Sequence, residues 1–204
     1  GSYTVTNAHT GLLLTTASAM PQRVPPMTVV NQGRLSLKPG STIDIAELDT
    51  YFVANGYTRV STVAERGEFA VRGGLLDVFP PSAAEPVRLD FFGDSLESIR
   101  SFDPESQRSL KQIHTLDFTA VSEIRMDPDS IRHFRQHYLE TFGAPGDDPL
   151  YTAMSSGIRR QGIEHMLPLF YDGLDSVYDY LAPSSLILMD ALADNAFAER
   201  VAAV

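Results

Sequence analysis

Between residues 58 and 117 the sequence alternates apolar and polar residues with a period of two. Candidate strands fall at 58–63, 67–72, 75–79, 86–92, 95–102 and 110–117, and the inner connections are Arg72-Gly73-Gly74, Pro80-Pro81-Ser82 and Phe92-Gly93-Asp94. Connections this short can join only antiparallel neighbours, because a parallel pair needs a crossover of about a dozen residues or more. The pattern therefore predicts an antiparallel meander. Ahead of it, Ile45, Leu48 and Phe52 form an apolar stripe at helical spacing behind the capping-box pair Asp44 and Glu47, and Asn55-Gly56 supplies a left-handed stop. Helix and meander together predict a small α+β module over residues 35–119.

The flanking segments read differently. Gly11 to Thr16 is a continuous apolar run suited to a strand buried on both faces of a parallel sheet, and Pro21, Pro25 and Pro26 then break the chain before residues 27–38. Beyond residue 120, Ile131, Phe134, Tyr138 and Phe142 recur at helical spacing behind Asp129-Ser130, with Gly143 after them. Shorter helices fit 149–156 and 174–181, Ser185 to Asp190 reads as a second buried strand, and Ala191 to Ala203 as a closing helix. The expected fold class is α/β with an inserted α+β domain. The first α/β domain is cut into 1–34 and 120–204, and the insertion is 35–119. Gly1-Ser2 has the form of a cloning scar, and without an initiator Met the chain is expected to start inside a longer protein.

Composition narrows the chemistry. Cysteine is absent from the 204 residues, which removes disulfides, thiolate nucleophiles, zinc ribbons and iron-sulfur clusters, and fits a cytoplasmic protein or an engineered fragment. The longest apolar run, Leu186 to Met189, is far short of the 18 or more residues of a spanning helix. The net charge of -10 divides as +2 over residues 1–34, -5 over 35–119 and -7 over 120–204. A field of that sign opposes non-specific binding to DNA phosphates. The two lysines, Lys38 and Lys111, follow no G-x-x-x-x-G-K-[ST] run, so no phosphate-binding P-loop can be drawn.

Strand parity singles out one face of the meander. Val87, Leu89 and Phe91 point one way from strand 86–92, while Arg88, Asp90 and Phe92 point the other. In the strand before Gly73, Phe69 and Val71 face the core, and Glu68, Ala70 and Arg72 face away. Arg72, Arg88 and Phe92 thus share an outward surface. Arginine and aromatic residues are enriched at interface hot spots, where truncation costs about 2 kcal/mol or more. On spacing alone a plainer account stays open: Arg72 and Arg88 pair with Glu68 and Asp90 as solvated bridges, and Phe92 packs under a helix.

Other groups are weaker candidates. Glu164-His165, Asp90 and Asp94 could supply acid-base chemistry, but no nucleophile or orienting partner accompanies them. His133 and His137 stand four apart on a predicted helix without a third ligand at helical spacing. Gly73-Gly74 lies between two strands, where a hairpin turn fits better than a phosphate loop.

The stretch Gly67-Glu68-Phe69-Ala70-Val71-Arg72-Gly73-Gly74-Leu75-Leu76-Asp77-Val78-Phe79-Pro80, with Arg88-Leu89-Asp90-Phe91-Phe92-Gly93-Asp94 and Ile99-Arg100-Ser101-Phe102-Asp103, resembles the UvrB-like module of the bacterial transcription-repair coupling factors, the Mfd family. Leu14-Thr15-Thr16 with Gln22-Arg23-Val24-Pro25, and Gly162-Ile163-Glu164 with Leu167-Pro168-Leu169-Phe170-Tyr171, extend the resemblance over nearly the whole chain. It implies a partial, degenerate P-loop-NTPase-like domain interrupted by a domain that docks on the repair ATPase UvrA. The family's UvrA-contacting residues match Arg72, Arg88 and Phe92. It also implies that this face is masked by other domains of the parent, and that ATP, magnesium, DNA and RNA polymerase are engaged by domains outside this chain. The expectation is therefore a recruiting module with no catalytic residue, cofactor or metal of its own, and no membrane partner. UvrB is a near neighbour with a similar inserted domain, so a UvrB-type excision-repair protein with a DNA-contacting role is the alternative. The Phe102 to Ser109 and Leu167 to Tyr171 segments follow the coupling-factor pattern instead.

Overall fold

The computed structural model describes residues 12–17, 19–190 and 192–202. In chain order its strands and α-helices are β1 (Arg23–Val24), α1 (Met27–Gln32), β2 (Leu35–Leu37), α2 (Ile45–Ala54), β3 (Thr58–Arg59), β4 (Glu68–Arg72), β5 (Leu75–Val78), β6 (Val87–Phe92), β7 (Ser95–Phe102), β8 (Ser109–Gln112) and β9 (Leu116–Phe118). They continue with α3 (Pro128–Phe142), α4 (Pro149–Ser155), α5 (Leu167–Phe170), β10 (Asp175–Ser176) and α6 (Ala193–Ala202). The chain divides into two compact units, one holding residues 28–172 and the other residues 1–27 with 173–204.

The larger unit is built on a six-stranded sheet in the order β3-β4-β5-β6-β7-β8. From β4 to β8 every pairing is antiparallel. Two-residue turns close β4 onto β5 and β6 onto β7. Gly73 and Gly93 hold φ of +60° and +59°, a region that side chains with a Cβ rarely adopt. Gly74 is required for another reason: a Cβ there would lie 2.7 Å from the Phe91 carbonyl oxygen, so the two hairpin tips meet backbone to backbone.

One face of this sheet is sealed by α2, which Asp44 caps by accepting from the Ala46 N–H at 2.9 Å. Leu48 and Phe52 drop from the helix onto Phe69, Leu76, Leu89, Phe91 and Ile99. The Phe52 ring meets Tyr57, Phe69 and Phe118 at centroid distances of 4.8–5.2 Å. Fully burying a side chain of this size is worth about 1.5–3 kcal/mol. The opposite face carries a small cluster at the end away from the hairpin tips: Val63, Ala70, Phe79 and Phe102. In the same unit α3, capped by Asp127 through the Ser130 N–H, stacks Phe134 on Phe170 of α5 at 4.8 Å.

In the smaller unit β1 pairs antiparallel with β10. The Tyr180 hydroxyl donates to the Pro25 carbonyl oxygen at 2.6 Å, and the Met27 N–H to Asp175 at 2.8 Å.

Several sequence expectations need correction. Segment 110–117 is two strands, and β9 leaves the meander to pair antiparallel with β2, because Leu116 and Phe118 belong to the core on the α2 side. Segment 58–63 shortens to β3, which pairs parallel with β4. The α3 cap falls at Asp127, where Pro128 starts the helix, rather than at Asp129-Ser130. Segment 174–181 becomes β10 followed by a 3-10 turn over Val177–Tyr180, since the Ser176–Asp179 capping box tightens the first turn. Neither 12–16 nor 185–190 is a strand: Leu12, Leu14, Leu186 and Leu188 are exposed. A strand buried on both faces needs neighbours, and among the described residues neither segment has a pairing partner. Gly11, Ala191 and Ala203 lie outside the described residues.

Candidate functional site

Register fixes which side chains share the less covered face of the sheet. Ala70, Asp77, Arg88 and Arg100 form one row across β4 to β7, and Arg72, Leu75, Asp90 and Ser98 form the next row toward the hairpin tips. Phe92 follows two residues beyond Asp90, opposite Ser95. The bulge between β6 and β7 lies on β7, where Asp90 pairs Ser98 but Phe91 pairs Leu96, so β6 keeps its alternation. Val87, Leu89 and Phe91 are accordingly buried, while Phe92 is 82% exposed. The tip that carries it is pinned from behind: the Ile43 N–H donates to the Asp94 carbonyl oxygen at 2.9 Å, and the Leu96 N–H to that of Ser41 at 2.9 Å.

The three residues that parity selects are thus on one face but in different environments. Arg88 is mostly covered, its side chain 21% exposed, and it forks the Asp77 carboxylate through Nε at 2.6 Å and Nη2 at 2.8 Å. Its guanidinium also lies 4.8 Å over the Phe102 ring. The Asp77 hydrogen bond holds the Arg88 pKa above its ordinary value, against a smaller opposing effect of burial. Arg72, 51% exposed, comes only within 3.8 Å of the same carboxylate. Phe92 stands in solvent beside the glycine turn.

Ion pairing differs from the plainer account of the sequence. The shared partner is Asp77, not Glu68 or Asp90. Glu68 instead accepts from the Ala64 and Glu65 N–H groups at 2.8 Å, and Asp90 pairs with Arg100 at 3.2 Å. Among the described residues no helix covers Phe92. Parity reasoning missed Asp77 and Arg100, although Asp77 had a signal. It is the one charge within Leu75-Leu76-Asp77-Val78, and a carboxylate in an apolar strand must find a cation or remain protonated.

The other candidates are not assembled into chemistry. His165 Nδ1 lies 2.7 Å from the Gly162 carbonyl oxygen, and Glu164 opens a 3-10 turn. His133 and His137 lie 3.1 Å and 3.7 Å from one Asp172 oxygen. Among the described residues no group of three or more side chains could hold a metal ion. None of the described helices is long and apolar enough to cross a membrane. Gly73-Gly74 is a hairpin turn.

The stretch that holds this sheet, α2 and the face bearing Arg72, Arg88 and Phe92 falls in a defined class: residues 35–123 match the family model described as the UvrB interaction domain. Sequence similarity reaches beyond that domain. The transcription-repair-coupling factor of Haemophilus influenzae is 38% identical over 184 residues, which take in 89% of this chain and 16% of the relative. That of Escherichia coli K12 is 33% identical over 188 residues (91% and 16%), and that of Myxococcus xanthus 34% over 176 (83% and 15%). This chain is homologous to the transcription-repair-coupling factors over about nine-tenths of its length, and it spans about a sixth of the length of these relatives.

Proposed function

We propose that this chain is the UvrA-recruiting module of a transcription-repair coupling factor, joining displacement of a stalled RNA polymerase to nucleotide excision repair. The observation that carries the reading is the placement of Phe92, 82% exposed beside a glycine turn and on the same face as Arg72 and Arg88. An aromatic ring left in water by a sheet whose other face is closely packed favours a partner with a matching pocket. Arg72 adds a half-exposed, loosely held guanidinium and Arg88 a fixed one, suited to carboxylates or carbonyls around that pocket. The homology supports the same assignment, because Arg72, Arg88 and Phe92 lie within residues 35–123, the UvrB interaction domain match.

In this reading residues 35–119 are the docking domain, and residues 1–34 with 120–204 are parts of a degenerate P-loop-NTPase-like domain. ATP-driven DNA translocation and polymerase contact belong to regions of the relatives outside the matched sixth. The docking face is covered by other domains in the resting parent. The isolated chain therefore captures cognate UvrA without added nucleotide, and a strict ATP requirement would contradict this. The rival is a UvrB-type protein that touches DNA. A UvrA pull-down and a DNA gel-shift on one sample separate them: the account expects UvrA capture with no salt-sensitive shift, whereas a steeply salt-dependent shift without capture would favour the rival.

A further inference from the structure

Asp77 is a buried carboxylate, 3% exposed, whose ion-pair partners in the structure are Arg88 and Arg72. Register sets it directly opposite Arg88, so the fork is made across adjacent strands with no reach along the sheet. Two of the five Arg88 N–H donors point inward to Asp77, which fixes the plane of the guanidinium over Phe102. The contact to Arg72 is longer by about 1 Å and leaves that side chain half exposed. One internal charge therefore holds one arginine rigidly and steadies a second loosely.

We propose that Asp77 is a positioning residue of the docking face, orienting Arg88, and more weakly Arg72, for an acidic or carbonyl-rich partner surface while touching no partner itself. This rests on the docking reading above. Pre-orientation strengthens binding because the ordering of a long side chain is completed before the partner arrives. It also assigns the arginines different parts: Arg72 adapts to the partner, and Arg88 presents a fixed edge.

The test uses the 204-residue chain, cognate UvrA and the Arg88 side-chain N–H resonance, with binding read well below the melting midpoint of each variant. Asp77→Asn keeps the shape but removes the charge, so the Arg88 signal, slow to exchange in the unaltered chain, moves to the position of free arginines. UvrA affinity falls about tenfold, the scale of a lost charge-assisted hydrogen bond. In an Arg88→Ala background the same change weakens capture by less than about twofold, since the residue it mainly positions is gone and only the looser hold on Arg72 is left. An equal loss in both backgrounds indicates a merely structural role and overturns the inference. Where Asp77→Asn fails to fold, Asp77→Glu keeps the charge one methylene further out, and is expected to displace the Arg88 signal and lower affinity several-fold. A displaced signal with unchanged affinity overturns the inference. No capture by the unaltered chain overturns the docking reading itself, whereas capture that Asp77→Asn leaves unchanged overturns only the part given to Asp77.

Discussion

With Nε and Nη2 bonded to Asp77 and its plane over Phe102, Arg88 has little rotamer freedom left, whereas Arg72 keeps most of its own. Arg88→Lys replaces a planar fork by a point charge, leaving one Asp77 oxygen short of a donor in a buried position. It should lower stability by about 1–3 kcal/mol, read as a lower urea midpoint. Phe92→Ala is the opposite case. The ring is in water, so stability should change by less than about 0.5 kcal/mol, while UvrA affinity drops roughly thirtyfold; calorimetry and a melting curve on one sample check both. At this scale parity was enough to gather Arg72, Arg88 and Phe92 on one face. It could not name their partner, because cross-strand pairing depends on register, and register is set by turns whose geometry the sequence only suggests.

The two tight turns set the hairpins. Gly74→Ala would press a Cβ against the Phe91 carbonyl oxygen at 2.7 Å, forcing the tips apart at a cost of about 1–3 kcal/mol and shifting the strand that carries Phe92. At Gly73 nothing lies within 4 Å of an added Cβ, so Gly73→Ala costs only its left-handed backbone, about 1–2 kcal/mol. Asn there should cost less than Ala, and urea unfolding of the three variants orders them. Among the helices, Asp148 caps α4 through the Leu150 N–H at 2.7 Å and accepts from the Tyr138 hydroxyl. The Tyr138 hydrogen bond first, and the Leu150 N–H second, hold its pKa below the ordinary carboxylate value. A depressed carboxylate stabilises the fold above its unfolded pKa of about 3.9, and that contribution is lost as pH falls through the folded value. Below about pH 4 the unaltered chain should therefore lose stability more steeply than Asp148→Asn, which keeps a capping oxygen but does not titrate. Elements with strong local signals, α2, α3 and the strands β4 to β7, were legible in the sequence. The apolar runs at 12–16 and 185–190 were not, because apolar content says that a segment can be buried but not whether a neighbouring strand is there to bury it.

Across the whole molecule, the proposed docking residues and both hydrophobic clusters of the sheet lie in the compact unit 28–172. A chain trimmed to 28–172 should then fold cooperatively and capture UvrA within about threefold of the full chain, as a unit with its own core can. Loss of capture by a well-folded trimmed chain would move the site elsewhere. The central claim is met most directly by titrating cognate UvrA calorimetrically with the full chain and with its Arg72→Ala, Arg88→Ala, Phe92→Ala triple variant, without nucleotide. The account predicts saturable one-site binding by the first and a loss of at least about thirtyfold in the second; equal affinities for the two would contradict it.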